Sequence, residues 1–290
     1  MSLALIVNPS AGGGRAARAL PDVRRALTTL QLDHRVEHTG SLKHAQALAR
    51  AAVEADELAV AFGGDGLIGA VAAALRDTDG ILGVLPGGRG NDFARTLGIP
   101  LDPVEACQVI GRGVARSIDM GEAGGSTFIG IASCGFDSVA NRIANETRIV
   151  RGNLVYAYGA LRALIGWRPA RFTIELDGGE PRSIVAYTIA AANAKAYGGG
   201  MWLAPDASLE DGRLDVVIVG DVPKLRFIRL LPSVFKAQHV HQPQVEVLRG
   251  RELRISADRP FTMYADGDPI AELPVTVRAL PAAVKVMVPR

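Results

Sequence analysis

The chain has 290 residues, room for one large domain or two of ordinary size, and its 48 % hydrophobic content is enough for substantial cores. Its 32 basic and 30 acidic residues nearly cancel, and a net charge of +2 gives no footing for a nucleic-acid partner. The two cysteines, Cys107 and Cys134, each stand alone in apolar context and predict buried free thiols in a reducing compartment, not a reactive pair.

The opening MSLALIVNPS lacks the basic region, long apolar stretch and cleavage site of a signal peptide, so none is expected. No run approaches the roughly 18 apolar residues of a membrane span. A cytoplasmic protein is expected, with peripheral membrane association left open. Leu3–Val7 reads as a buried strand, Ala16–Leu30 as a helix, Leu32–His38 as a strand and Ala45–Val53 as a helix. Leu58–Phe62 is a strand, Ile68–Leu75 a helix, Ile81–Leu85 a strand, and Asp92–Leu97 and Val104–Ile110 are helical. Strands separated by helices predict a doubly wound α/β sheet, which binds ligands at the carboxyl ends of its strands.

After Ser117 the pattern changes. Strands are predicted at Phe128–Ala132, Arg171–Leu176, Ser183–Ala191, Leu214–Val219, Glu246–Leu248, Leu253–Ser256, Phe261–Tyr264, Val275–Arg278 and Val284–Val288. Asp177-Gly178-Gly179 and Arg249-Gly250-Arg251 read as hairpin turns. Helices interrupt near Asp137–Arg148, Leu154–Trp167 and Lys224–Ala237. The second half is therefore predicted to be a mainly antiparallel β domain. The expected division is 1–117 and 118–290, with the last strand, 284–290, open to returning to the first half.

Three glycine-rich turns follow three predicted strands: Asn8-Pro9-Ser10-Ala11-Gly12-Gly13-Gly14, Gly63-Gly64-Asp65-Gly66, and Pro86-Gly87-Gly88-Arg89-Gly90-Asn91. Glycine lets backbone approach a bulky anion, and a helix starting after the turn aims free N–H groups at it. Any one such loop is compatible with an ordinary turn; three at one sheet edge predict phosphate binding. A carboxylate beside phosphate needs a cation between them, so Asp65 points to shared Mg²⁺, with a helix cap as the alternative. The first loop is not a Walker A loop, since no Gly-Lys-Ser/Thr follows, and it lacks the spacing of a dinucleotide fingerprint.

These segments, with the third running Leu85-Pro86-Gly87-Gly88-Arg89-Gly90-Asn91-Asp92-Phe93-Ala94-Arg95, resemble the catalytic region of the bacterial diacylglycerol kinase and lipid kinase family, relatives of sphingosine kinases. The resemblance continues in order through Ser133-Cys134-Gly135-Phe136-Asp137, Asn193 with Tyr197-Gly198-Gly199-Gly200, Ala204-Pro205-Asp206-Ala207 with Asp211-Gly212, and Ala265-Asp266-Gly267-Asp268. It implies an α/β nucleotide-binding half, a β-sandwich lipid-substrate half and a cleft between them. It also implies ATP- and Mg²⁺-dependent phosphorylation of a lipid hydroxyl, diacylglycerol by default. By position, the nucleotide site falls on Asn8, Pro9, Ser10, Ala11, Gly12, Thr39, Gly63, Gly64, Asp65, Gly66, Leu67, Ile68, Gly69, Gly88, Arg89 and Asn91. The general base falls on Asp268, where the family usually has Glu, and Asp266 would hold the base or the metal. For Asp266-Gly267 a plain hairpin turn is the alternative. A second, structural Mg²⁺ is implied at Ser208, Asp211 and Arg213, with Asp211 giving its carboxylate and the others only carbonyls.

Three positions depart from the family pattern: Leu67 for Thr, Gly69 for Asn and Arg89 for Thr. Arg89 offers a cation to phosphate or a partner to Asp92. The expected partner is a lipid substrate at a membrane surface, with homodimerisation open. Pro223–Ala237 sets Arg226, Arg229 and Lys236 against Phe227, Leu230, Leu231, Val234 and Phe235, which fits an interfacial helix or, more readily, a helix packed on its own sheet. Leu154–Tyr158 and Leu161–Trp167 fit an acyl pocket or ordinary core. His239 and His241 alternate on an extended stretch, where solvated histidines are commoner than metal ligands. The rival readings are an NAD kinase-like enzyme acting on a soluble nucleotide and a non-catalytic lipid- or nucleotide-binding protein.

Overall fold

The computed structural model describes residues 2–147 and 154–290, so the expected helix end at Arg148 lies outside the described residues. The first half alternates as predicted: β1 (Ser2–Val7), α1 (Ala11–Thr29), β2 (Asp33–His38), α2 (Leu42–Glu54), β3 (Leu58–Gly63), α3 (Asp65–Leu75), β4 (Ile81–Pro86), α4 (Asp92–Thr96) and α5 (Pro103–Arg112). Its strands lie in the order β2-β1-β3-β4, all parallel. Strands β1, β3 and β4 are buried, which is why they read as unbroken apolar runs, whereas the edge strand β2 stays half exposed and polar. Local chemistry sets the helix starts. The Ser41 hydroxyl accepts from the His44 N–H at the head of α2, and Asp102 accepts from Val104 and Glu105 at the head of α5, with Pro103 in its first turn.

The second half comprises β5 (Val114–Ala123), β6 (Ser126–Phe128), β7 (Ile131–Gly135), α6 (Phe136–Glu146), α7 (Leu154–Gly166), β8 (Ala170–Leu176), β9 (Arg182–Ala192), β10 (Leu214–Gly220), α8 (Lys224–Val234), β11 (Val245–Gly250), β12 (Glu252–Ala257), β13 (Thr262–Ala265), β14 (Asp268–Glu272) and β15 (Val275–Val288). Pairings among these strands are antiparallel. The fold class is thus an α/β half followed by an antiparallel β-sandwich half. The long strand β15 serves both: it runs antiparallel to β5 and parallel to β4, at Lys285 opposite Ile81 and Val286 opposite Leu82.

Several expectations need correction. The strand predicted over Phe128–Ala132 is broken into β6 and β7, and the two predicted at the end are one strand with a register shift between Leu280 and Val284. Arg249-Gly250-Arg251 is not a hairpin turn, because β11 pairs with β10 whereas β12 lies between β8 and β15. His239 and His241 occupy a 3₁₀ turn, and His239 is buried with Nε2 at 2.9 Å from the Leu203 carbonyl.

One core fills the parallel half. A second holds an aromatic cluster, in which Tyr187 stacks on Phe227 with centroids 4.6 Å apart and Phe136 meets Trp167 edge-on at 5.6 Å. Both cysteines are free and buried. Burial raises both thiols, Cys107 to about 11, so they are inert packing residues.

Candidate active site

The parallel order β1-β3-β4 brings the three glycine loops side by side at the carboxyl ends of their strands. Their contact is backbone on backbone. A Cβ on Gly88 would fall 2.5 Å from the Gly64 Cα, and one on Gly12 would fall 2.5 Å from the Gly87 carbonyl oxygen. The Gly87 N–H donates to the Gly63 carbonyl at 2.7 Å. Gly12, Gly13 and Gly14 have φ of 60°, 68° and 86°, a left-handed run that side chains strongly disfavour. Asn8 closes the first loop, its carboxamide oxygen accepting from the Ser10 N–H and hydroxyl, both at 3.1 Å. Asn91 closes the third, accepting from the Gly88 N–H at 2.8 Å and donating to the Gly88 carbonyl at 3.2 Å.

Helix α3 turns one face to a cavity of about 680 Å³, lined by Asp65, Gly66, Gly69, Ala70, Ala73 and Ala74. The same cavity is lined by Asp266 and Asp268 of the β13–β14 hairpin, by residues 125–128, and by Gln46 and Arg50 of α2. Leu67 and Ile68 face the other way into the core. The Leu67 side chain folds over Gly63, with Cδ2 2.7 Å from where a Gly63 Cβ would sit. Gly69 keeps the wall low beside Asp266.

Asp65 and Asp266 at this cavity, and Asp92 beside Asp65, are each held by backbone amides. Asp65 Oδ1 accepts from the Phe93 N–H at 3.0 Å. Its other oxygen and Asp92 both crowd Gly90, where a Cβ would lie 3.4 Å and 3.0 Å from them. Asp92 accepts from the Gly199 and Gly200 N–H groups at 2.8 and 2.7 Å, tying the two halves together. Burial raises the Asp92 carboxyl, and the charge of Asp65 pushes it the same way. The Asp266-Gly267 turn has φ of 51° and 96°, the left-handed pair of a tight hairpin. Asp266 also accepts from the Ile129, Gly130 and Ile131 N–H groups at 3.0, 3.3 and 3.3 Å, which pins the hairpin. Burial pushes its carboxyl up to about 6, with the Asp65 charge acting in the same direction. Asp268 opens β14 opposite Ala265, and partial desolvation raises its carboxyl.

Asp65 could give one carboxylate to a Mg²⁺ whose other ligands come from phosphate. Asp65 has no cationic partner among the described residues, and two further carboxylates press on it. Thr39 lies buried at the end of β2, its hydroxyl donated to the Ser41 carbonyl. Arg89 is exposed at the loop rim and does not pair with Asp92, whose oxygens are taken by Gly199 and Gly200. The segment Ser208–Arg213 lies outside this cavity. There Asp211 accepts from the Arg213 N–H, Ser208 from the Glu210 N–H, and Arg249 lies beside Asp215. Among the described residues no group of three acidic, His or Cys side chains is placed to hold a metal ion.

Sequence reading missed Arg15 and Arg18, whose guanidinium groups reach the Gly88 and Gly13 carbonyls at 3.4 and 3.3 Å. Their position within a turn of Gly12–Gly14 was the available signal. It also missed the roles of Asp92 and Asp137. Asp137 is buried, accepts from the Thr188 and Tyr197 hydroxyls at 3.2 Å each, and is pushed up to about 6 by burial. The side chains of 154–157 lie outside those described, while Leu164 and Trp167 pack in the core.

The arrangement is that of a kinase. Residues 2–123 match the family model described as diacylglycerol kinase catalytic domain, and residues 130–288 match the YegS C-terminal NAD kinase beta sandwich-like domain. The chain belongs to the diacylglycerol kinase and YegS-like lipid kinase family. It is 34 % identical to a diacylglycerol kinase of Mycobacterium tuberculosis over 98 % of this chain and 94 % of that one. It is 30 % identical to a diacylglycerol kinase of Bacillus subtilis over 91 % and 88 %. A crystal structure of a diacylglycerol kinase from Bacillus anthracis superposes with a TM-score of 0.76 at 20 % identity, covering 99 % of this chain and 96 % of that one. The fold is also similar to an NAD kinase from Archaeoglobus fulgidus in complex with ATP, with a TM-score of 0.54 at 14 % identity over 99 % and 93 %. No helix among the described residues is long and apolar enough to cross a membrane.

Proposed function

We propose that the protein transfers the γ-phosphoryl group of ATP to a lipid hydroxyl, with diacylglycerol as acceptor and phosphatidic acid as product. The observation that carries this reading is the single cavity lined by both Asp65, at the glycine loops, and Asp268, on the hairpin of the other half. The glycine loops and the first-turn amides of α3 would cradle the phosphates, with Arg15, Arg18 and Arg89 at the rim. Mg²⁺ held by Asp65 would neutralise phosphate charge during transfer. Asp268 takes the proton of the lipid hydroxyl as its oxygen bonds to the γ-phosphorus. The bond from that phosphorus to the bridging oxygen breaks, and ADP leaves. Partial desolvation raises the Asp268 carboxyl, which makes it a stronger base. Asp266 positions it by fixing the hairpin.

The test is Mg²⁺-dependent transfer of labelled phosphate from ATP into a mixed lipid extract, with products identified by mass. Labelled phosphatidic acid is expected, reduced roughly 10²–10⁴-fold in Asp268→Ala. A fully active Asp268→Ala protein would remove the base assignment. Phosphorylation of NAD with no labelled lipid would overturn the acceptor.

A further inference from the structure

The outer surface of the second half carries apolar side chains that the fold leaves uncovered. On α7, Leu161 and Ile165 are 60 % and 67 % exposed, while Ala163, Leu164 and Trp167 beyond its end face the core. Helix α8 repeats the pattern, with Leu225 61 % exposed and Ile228 outside it, and Phe227 inside. The two helices adjoin, because Lys224 Nζ donates to the Ile165 carbonyl at 2.8 Å. An ordinary solvated helix face does not gather large aliphatic residues this way.

Within the two segments that build the patch every charged residue is basic, with Glu175 and Asp221 just outside them. No Asp or Glu occurs in 154–174 or in 222–245, although the whole chain is nearly balanced at 32 basic and 30 acidic residues. Arg162, Arg168, Lys224, Arg226, Arg229 and Lys236 are exposed, and none pairs with a carboxylate among the described residues. We propose that α7 and α8 form a docking face for an anionic lipid bilayer, with the aliphatic side chains entering the interface and the basic ones meeting headgroups. A second copy of the chain fits less well, since a twofold contact would set the unpaired basic side chains of these helices against themselves. The inference extends the lipid-kinase reading to a surface, and because binding is measured without turnover, either can fail alone.

The experiment is co-sedimentation of the full chain with vesicles of phosphatidylcholine alone and of phosphatidylcholine with phosphatidylglycerol. Binding is expected with the anionic vesicles, weakening with salt and falling about fivefold for each charge removed in Arg162→Ser and Arg229→Ser. The pair Leu161→Ser and Ile165→Ser is expected to lose binding at unchanged melting temperature, since both side chains are already in water. Equal binding to neutral vesicles, or wild-type binding by both sets of variants, would overturn the proposal. So would a dimer in solution that the Leu161 and Ile165 changes dissolve, which would give the face to a second copy.

Discussion

Gly66→Ala separates the two reasons a glycine can stand in these loops. At Gly88 the reason is packing: a Cβ would press within 2.5 Å of the Gly64 Cα, backbone that has little room to yield. At Gly66 nothing lies within 4 Å of the added methyl, and the residue is helical, in the first turn of α3. Folding therefore gains by the change. Alanine in a helix is favoured over glycine by about 0.5–1 kcal/mol. For a chain of 290 residues that raises the melting temperature by about 1–2 °C. Phosphate binding loses, because the methyl projects into the cavity where backbone must come close. A displacement of about 1 Å at the reacting group costs on the order of a hundredfold in rate. The assay pairs thermal unfolding with kcat/KM for ATP, using Gly88→Ala as the clashing control, which is expected to lose both stability and activity. A Gly66→Ala protein with wild-type use of ATP would refute the assignment of this turn to phosphate.

Three further outcomes are expected. Leu67→Thr, which restores the family's usual residue, should cost about 2–4 kcal/mol in denaturant unfolding and leave the KM for ATP unchanged, because Leu67 packs over Gly63 in the core; tighter ATP use at no cost in stability would contradict that placement. Asp266 holds its proton with a pKa of about 6 when folded against an ordinary 3.8, so this contribution to stability is fully present below about 3.8 and is lost as pH rises through about 6. Asp266→Asn should flatten the stability profile across that window, and an unchanged profile would show that the carboxyl is not buried as described. Asp92→Ala should cost about 2 kcal/mol, from the two amides of Gly199 and Gly200 left without their acceptor, and a variant that melts with the wild type would dismiss the clamp between the halves.

What could be read from the chain alone follows the range of the forces involved. Strands β1, β3 and β4 were legible because burial demands continuous apolar residues. Gly12–Gly14 and Asp65 were legible because backbone handedness and charge restrict which residues can stand there. Gly250 misled because its role is not a turn: a Cβ there would fall 2.6 Å from Leu176 Cδ1, so the glycine serves close packing between strands. Asp119 was passed over for a different reason. It is buried in β5 and accepts from the Gly212 and Ala282 N–H groups at 2.6 and 2.8 Å, bonds that span the chain and leave no local pattern. The clamp from Asp92 to Gly199 and Gly200 was hidden in the same way, although both ends sit inside quoted motifs.

The way the cleft holds its acidic residues bears on what it can bind. Asp65, Asp92 and Asp266 are each fixed by amide donors from Phe93, from Gly199 and Gly200, and from residues 129–131. Arginine or lysine partners would fix them too, but would also cancel their charge, and a metal ion would then have to displace an ion pair to enter. Amides set the geometry and leave most of the charge in place. Burial raises the carboxyls of Asp92 and Asp266, and the charge of Asp65 adds to it. The basic residues nearby obey the complementary rule: Arg15 and Arg18 reach loop carbonyls, not carboxylates, so their charge stays available to phosphate. On the proposed reading, a site built this way would favour a cation and a polyphosphate bound together over either one bound alone, which is the order of preference a MgATP-dependent enzyme requires.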